Sequence, residues 1–534
     1  MKRMSKSILL GAALLFAASC RPEVDKSGWV IPPVPDEREE DGSRLVNFAA
    51  GKFYLFNPSE SASYQDRYSV LPWSSGTFLT DEEVLEGKGV GAVAWKEPEV
   101  EIVLDLGSTR TVDVVKIHAL SDMQTASLPE SVRIFHSIGK EQAWTESEPL
   151  STFGVDDGQA GWGIADIAGT SCRYLKLLVV SSDTTRLMML DEIEAWGPFK
   201  EDPKYVPADG AYHGAFNNAT SFADNTDPRW VVTNRTCPVD TYEQAVGKRV
   251  SMALWYQNME EGRNFAEIRQ VRDEYLAVEG GGHRFLIYGW LPTVSARDWA
   301  TGALDSYLER YFSDVAAPDV KDNGPIWFRP ANEMNGGWCP YSLDTENYVR
   351  AWRRMYNIAE QYGVTSYHVF VWSPNAFDSP ATPANTLSRY YPGDIYVDWL
   401  GLSLYPPSSA SGFAESQRYP YTLVQAVKKI SQGKPILVTE GGFSSDYGQS
   451  AENMSSAQKY ACDHLRWVRE WFGLKDKEPR IKGLIWENHC SSSAGDRRIH
   501  QDPDALAVYQ ELVKDPYWLS EIPDDVVSEM ERRK

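Results

Sequence analysis

Two carboxylic acids are the residues of this chain whose setting best suggests chemistry. Glu333 lies in "PIWFRPANEMNGGWCPYS" (residues 325–342) and Glu440 in "PILVTEGGF" (435–443), so each closes an apolar run. Two carboxyl groups brought to one place can open a glycosidic bond with retention. One protonates the leaving oxygen and the other attacks the anomeric carbon, at a separation of roughly 5–5.5 Å, whereas inversion needs about 6.5–9.5 Å. Around Glu333 the chain crowds Arg329, Asn332, Asn335 and Trp338 about Gly336 and Gly337. An acid/base must keep its proton near neutral pH and a nucleophile must not. Burial and a neighbouring carboxylate raise a carboxyl pKa, while hydrogen-bond donors lower it. Asn332 and Tyr405 are the expected donors to Glu440, and Glu333, flanked by Met334 and facing aromatics, is the acid expected to be pushed upward. Glu487 is a rival carboxylate, and Arg329 is expected to brace the acids rather than touch a substrate. In the plainer reading Glu333 merely pairs with Arg329 in a polar layer, and Glu440 is a strand-end salt-bridge partner.

Something must carry these acids to one face. Apolar, strand-like runs recur at "YHGAFNN", "VSMALWYQN", "RFLIYGWL", "PIWFRPANE", "YHVFVWSPN", "VDWLGLSLY", "PILVTEGGF" and "KGLIWENH". Helical stretches lie between most of them, clearest in "NFAEIRQVRDEYLAVEG", "DTENYVRAWRRMYNIAEQYG" and "AQKYACDHLRWVREWFG". In the second, Tyr348, Trp352, Met355, Tyr356 and Ala359 recur at helical spacing and are expected in the core. The connection between the fifth and sixth runs is the least helical. Alternation of this kind over residues 212–520 predicts a (β/α)8 TIM barrel. The runs end in Asn217, Asn258, Trp290, Glu333, Asn375, Tyr405, Glu440 and Glu487, residues that a barrel gathers at its C-terminal mouth. Trp372 and Asn375 are expected either to line a cleft there or to close the barrel top.

Upstream the rhythm differs. Residues 45–197 read as short Val-, Ile- and Leu-rich strands without helices between them, the pattern of an antiparallel β-sandwich. "EIVLDLGSTRTVDVVKIHAL", "RYLKLLVV" and "LDEIEAWG" resemble the discoidin domain (coagulation factor 5/8 type C). That resemblance implies carbohydrate binding through loop-tip aromatics, with Trp73, Trp95, Trp144 and Trp162 as candidates, and a structural calcium ion in some members. Residues 198–211 are expected to be a linker.

The 534 residues carry a net charge of −22, which makes nucleic acid an unsuitable partner. Aromatic residues are abundant, with 19 Trp and 27 Tyr, and suit stacking on sugar rings as well as core filling. The eight His form no metal-binding pattern, so no catalytic metal or other cofactor is expected. Lys2, Arg3 and Lys6 precede the apolar run "ILLGAALLFAAS", which reads as a signal peptide over residues 1–19. Ala17, Ala18 and Ser19 before Cys20 resemble a bacterial lipobox, which implies cleavage there, lipidation of Cys20 and a lipoprotein of a Gram-negative outer membrane, cell surface or periplasm. Residues 20–44 would form a Pro-rich, charged tether. Five other cysteines leave an odd number and define no disulfide.

"RPANEMNGGW", "YYPGDIYVDWLGLSLY" and "KPILVTEGGF" together resemble glycoside hydrolase family 26, a retaining family with its acids on barrel strands 4 and 7. The resemblance runs from about His213 to Asn488. It implies that Glu333 is the acid/base, Glu440 the nucleophile, Trp338 the aromatic beside the cleavage point, Tyr405 the tyrosine bonded to the nucleophile and Trp486 a sugar platform. Many members carry His where this chain has Asn332; the wider clan uses Asn there to meet the sugar 2-hydroxyl. The implied substrate is β-1,4-mannan, with β-glucan or β-xylan as alternatives on the same mechanism. A surface glycan-binding lipoprotein without catalysis is the reading from another class. A monomer is expected.

Overall fold

The computed structural model describes residues 42–534 except 58–78, 85–92, 122–124, 141, 148–149, 151–152, 157–159, 219–238, 261–264, 277–283, 320–323, 408–412, 445–461 and 492–494. The expected signal peptide, Cys20, nearly all of the tether and Trp73 lie outside the described residues.

The first unit is an antiparallel β-domain. Its spine is a pair of 22-residue strands, Glu99–Leu120 and Ala160–Ser181. Leu187–Phe199 and Arg44–Asn47 extend one side of this pair, and Pro129–Ser137 the other. Val100, Ile102, Leu104 and Leu106 alternate into the core while the residues between them are partly exposed. The pairing shifts register between Asp105 and Arg110 and again between Val112 and Val114, as bulges allow in so long a pair. Trp95 is core rather than loop, whereas Trp144 and Trp162 are partly exposed beneath Lys176 and Lys116, at 4.8 and 5.4 Å. Among the described residues no three His, Cys, Asp or Glu gather as a metal site.

The second unit is the expected barrel. Its eight parallel strands are Ala211–Asn218, Met252–Met259, Phe285–Pro292, Ile326–Pro330, Val369–Trp372, Trp399–Leu404, Ile436–Gly441 and Ile481–Ser491. The first and eighth pair from Tyr212↔Gly483 to Asn218↔His489 and close the cylinder. Alternate residues divide between two cores. Tyr212, Leu254, Ile287, Trp327, Val371, Trp399, Leu437 and Ile485 fill the interior. Leu286, Phe328, Phe370, Leu400, Val438 and Trp486 face the helices, including Thr345–Gln361 and His464–Phe472. The fifth-to-sixth connection holds only the short 3-10 turns Leu387–Tyr390 and Asp394–Tyr396.

The segment 198–211, read above as a linker, is packed. Tyr205 is buried in the interior cluster and its hydroxyl donates to the Tyr367 carbonyl at 2.7 Å. Lys204 Nζ donates to Asp398 at 2.8 Å and to the Thr365 carbonyl at 2.7 Å. Val526 of the last helix, Asp524–Arg533, joins the same cluster, so the packed unit runs beyond residue 520.

Charged side chains also join the two units. Lys52 donates to Glu360 and to Asn357 Oδ1 (2.9 Å), Arg44 pairs with Asp394 and Glu201 (3.0 Å), and Arg353 pairs with Glu82 (2.8 Å). Removing one member of a buried pair strands the other without compensation. Lys52→Met is expected to destabilise the full chain by roughly 3–5 kcal/mol in urea unfolding. Adding Glu360→Leu to that variant should restore most of the loss.

Candidate active site

Arg329 comes two residues after the inward Trp327 and is wholly buried. Its guanidinium reaches around the upper barrel interior. Nη2 donates to Glu440 Oε1 at 2.8 Å and to Ser403 Oγ at 2.7 Å, Nε to Ser373 Oγ at 2.9 Å, and Nη1 to Tyr256 Oη at 3.1 Å. The Tyr256 ring fits because its neighbour on the next strand is Gly289, where a Cβ would stand 2.4 Å from the ring.

Glu440 owes its direction to a bulge. Leu402 pairs with Val438, yet the next residue, Ser403, pairs with Glu440, leaving Thr439 as the extra residue. Leu437 faces inward and Val438 outward, so unbroken alternation would turn Thr439 in and Glu440 out. The bulge admits both. Thr439 Oγ1 meets Ser373 Oγ at 2.7 Å, and Glu440 accepts from Ser403 Oγ at 2.6 Å and from the Tyr256 hydroxyl. Burial alone would raise the Glu440 pKa. The Arg329 charge and the donors Ser403 and Tyr256 outweigh it and hold the carboxyl below the usual range.

Glu333 is placed by a turn. Beyond Pro330 the backbone enters the left-handed region at Ala331 (φ 46°) and Glu333 (φ 58°), a cost of about 1–3 kcal/mol each. The Glu333 N–H donates to the Ser373 carbonyl and the Gly336 N–H to the Glu333 carbonyl, both at 2.9 Å, and these bonds hold the turn. Buried Asn335 latches it by donating to the Asn375 carbonyl and to Asp378, each at 2.9 Å. The Glu333 carboxyl accepts from Asn375 Nδ2 at 3.0 Å and from Trp338 Nε1 at 2.9 Å. Burial and the Glu440 charge push it up to about 7, against the opposing pull of Arg329. Trp338 is 53% exposed and folds over Gly336, where a Cβ would lie 2.1 Å from the ring. That close approach is the reason for the "GGW" sequence.

The remaining candidates fall differently. Asn332 is buried and takes the Tyr341 hydroxyl on its carbonyl at 2.9 Å; its side-chain Oδ1 has no partner among the described residues, and it does not donate to Glu440. Tyr405 does not reach Glu440 either, because its hydroxyl donates to Glu487 while Arg497 covers its ring at 3.8 Å. Tyr256, Ser403 and Arg329 supply the donors instead. Tyr256 and Ser403 stand at inward positions that alternation from Leu254 and Trp399 marks out.

Three tryptophans taken as candidates turn away from the mouth, since each occupies an outward position of its strand. Trp290 stacks on Phe328 at 5.1 Å and donates to Tyr307 at 3.0 Å. Trp372 donates to the Tyr390 carbonyl at 3.0 Å. Trp486 packs among Trp471, Tyr509 and Phe443, each at 5.5 Å. None of the three is open to a ligand.

A TIM barrel with a carboxyl held low by Arg329 at the end of strand 7 and one pushed up by burial beyond strand 4 defines a protein equipped for two-carboxylate chemistry. Residues 293–447, which include both acids and Arg329, match the model of Glycosyl hydrolase family 26 and support that family for the barrel. Endoglucanase H of Acetivibrio thermocellus is 24% identical over 296 residues, 53% of this chain and 30% of that protein. Mannan endo-1,4-beta-mannosidase A and B of Caldalkalibacillus mannanilyticus is 26% identical over 170 residues, 29% of this chain and 30% of that protein. The chain thus spans 30% of the length of each. A solved chitosan-binding module from Paenibacillus sp. IK-5 is 23% identical and covers 28% of this chain and 99% of its own, at a TM-score of 0.20.

The hydrogen bond from Tyr256 favours the ionised form of Glu440. Tyr256→Phe is therefore expected to raise the Glu440 pKa by about one unit, measured by 13C NMR titration of the carboxyl.

Proposed function

We propose that the protein is an exported, retaining, endo-acting glycoside hydrolase of family 26 that cleaves β-1,4-mannosidic bonds in mannan, glucomannan or galactomannan. The observation that carries this reading is the opposite displacement of the two acids in one mouth, Glu333 upward and Glu440 downward. Glu440 attacks the anomeric carbon while Glu333 gives its proton to the departing oxygen. The bond breaks and a glycosyl ester forms on Glu440. Glu333, now a carboxylate, takes a proton from water. That water attacks the same carbon, releases the sugar and returns the electron pair to Glu440. The exposed Trp338 indole, bonded to Glu333, is suited to stack on the sugar beside the broken bond.

A β-glucan is the second reading, favoured by the likeness to Endoglucanase H. The sandwich, by its resemblance to the discoidin domain, would hold the polymer near the barrel. Cys20 would anchor a monomer to a membrane through a lipid.

The test is reducing-end release by soluble protein lacking residues 1–20 from β-mannans, β-glucans and β-xylans, beside Glu333→Gln and Glu440→Gln. One polymer should be cut, and both variants should lose at least about a thousandfold in kcat. A polymer that is bound but never cut would replace the hydrolase with the glycan-binding protein. Because Glu333 must carry its proton in the first step, kcat should fall as pH rises through about 7.

A further inference from the structure

The inward position near the end of the eighth strand belongs to Glu487, because Ile485 before it faces the interior and Trp486 faces out. Its side chain is only 10% exposed. Both its described hydrogen bonds fall on one oxygen: Oε2 accepts from the Tyr405 hydroxyl and from Arg497 Nη1. The Arg497 guanidinium lies 3.8 Å over the Tyr405 ring, so carboxylate, phenol and guanidinium lock one another in place. The Oε1 atom has no partner among the described residues. Tyr256, which bonds Glu440, feels the charge of both Glu440 and Glu487, so the two carboxylates share the mouth.

Oε1 is not sealed from solvent, so it is free to accept a hydrogen bond from a bound hydroxyl that takes the place of water. We infer that Glu487 is a substrate-recognition residue whose Oε1 accepts a hydrogen bond from a hydroxyl of the sugar at the scissile bond. The ligand class is a neutral, hydroxyl-rich pyranose, read through its hydroxyl positions rather than through stacking. Arg497 and Tyr405 are positioning residues, since they act by fixing Glu487. A site built to accept one hydroxyl discriminates against sugars that place it elsewhere, because a bound sugar would then cover the acceptor without pairing it. This inference rests on the hydrolase reading and deepens it.

The experiment measures kcat, KM and the pH–rate profile of the soluble protein on whichever of the β-mannan, β-glucan and β-xylan preparations it cuts best. The variants are Glu487→Gln and Glu487→Asp, and Glu440→Gln is the dead control. The expected result is a fall in kcat/KM of about ten- to a hundredfold for Glu487→Gln with an unmoved pH profile, and a lower melting temperature because Arg497 loses its counter-charge. Glu487→Asp keeps the charge and withdraws the oxygen, so it should lose as much and provides the test should the Gln variant fail to fold. Unchanged kcat/KM in both variants would overturn the inference. A displaced acid limb would overturn it too, since Glu487 would then be tuning Glu440 rather than meeting the sugar. If the parent protein cuts no polymer while Glu440→Gln binds one, the hydrolase reading has failed instead, and the Glu487 inference falls with it.

Discussion

The buried pair between Arg329 and Glu440 is the constraint from which the rest of the site follows. A guanidinium in a barrel interior is expensive unless every donor finds an acceptor. Here Ser373, Ser403, Tyr256 and Glu440 surround it. The pair sets more than stability. The Arg329 charge keeps Glu440 ionised in a place where burial would otherwise protonate it, and the Glu440 charge in turn helps raise Glu333. One contact therefore displaces the two carboxyls in opposite directions. A barrel closed by apolar residues at this layer would be simpler to fold and chemically inert.

Much of the fold was legible in the sequence. The eight apolar runs became the eight strands, because buried parallel strands must be continuously apolar. The Tyr348, Trp352 and Met355 spacing marked a true core face. The acids and Arg329 were legible too, since polar residues at the ends of such runs have no structural reason to be there. What failed was direction. Trp290, Trp372 and Trp486 end or nearly end strands, as a platform would, but parity turns them toward the helices. Counting from Ile287, Val371 and Ile485 in steps of two would have exposed this. Glu440 is the converse: parity would have turned it outward, and only the bulge at Thr439 corrects it, which no local pattern announces. Tyr405 ends its strand as expected, yet its hydroxyl goes to Glu487, a choice set by Arg497 from a later segment.

The relation between the two units was also hidden. A Pro-rich stretch between domains reads as a spacer, but Lys204 and Tyr205 are anchored beneath the barrel. Helix Thr345–Gln361 shows why composition misleads here. Its apolar face packs on the barrel, while Arg353, Asn357 and Glu360 on another face are buried as well. They meet Glu82, the Gly51 carbonyl and Lys52 of the sandwich. Charges that look solvated in a helical pattern are here complementary to a second domain. The sandwich is thus braced against the helix that follows the Glu333 turn.

On the proposed mechanism, the charge balance of the mouth would give the catalytic cycle its direction. Arg329 and Arg497 face Glu440 and Glu487 in paired contacts, so a protonated Glu333 leaves the group neutral. Ionising Glu333 while Glu440 is charged would place an unmatched anion where burial already penalises it. The proton therefore stays until the leaving oxygen can take it. On the proposed mechanism, ester formation would cancel the Glu440 charge, the second cause of the raised Glu333 pKa, while Arg329 remains. The Glu333 pKa must fall at that stage, and the same carboxyl that served as acid becomes the base that activates water. On that mechanism acid and base would be one residue, because its neighbour's charge would be consumed and regenerated once in each cycle.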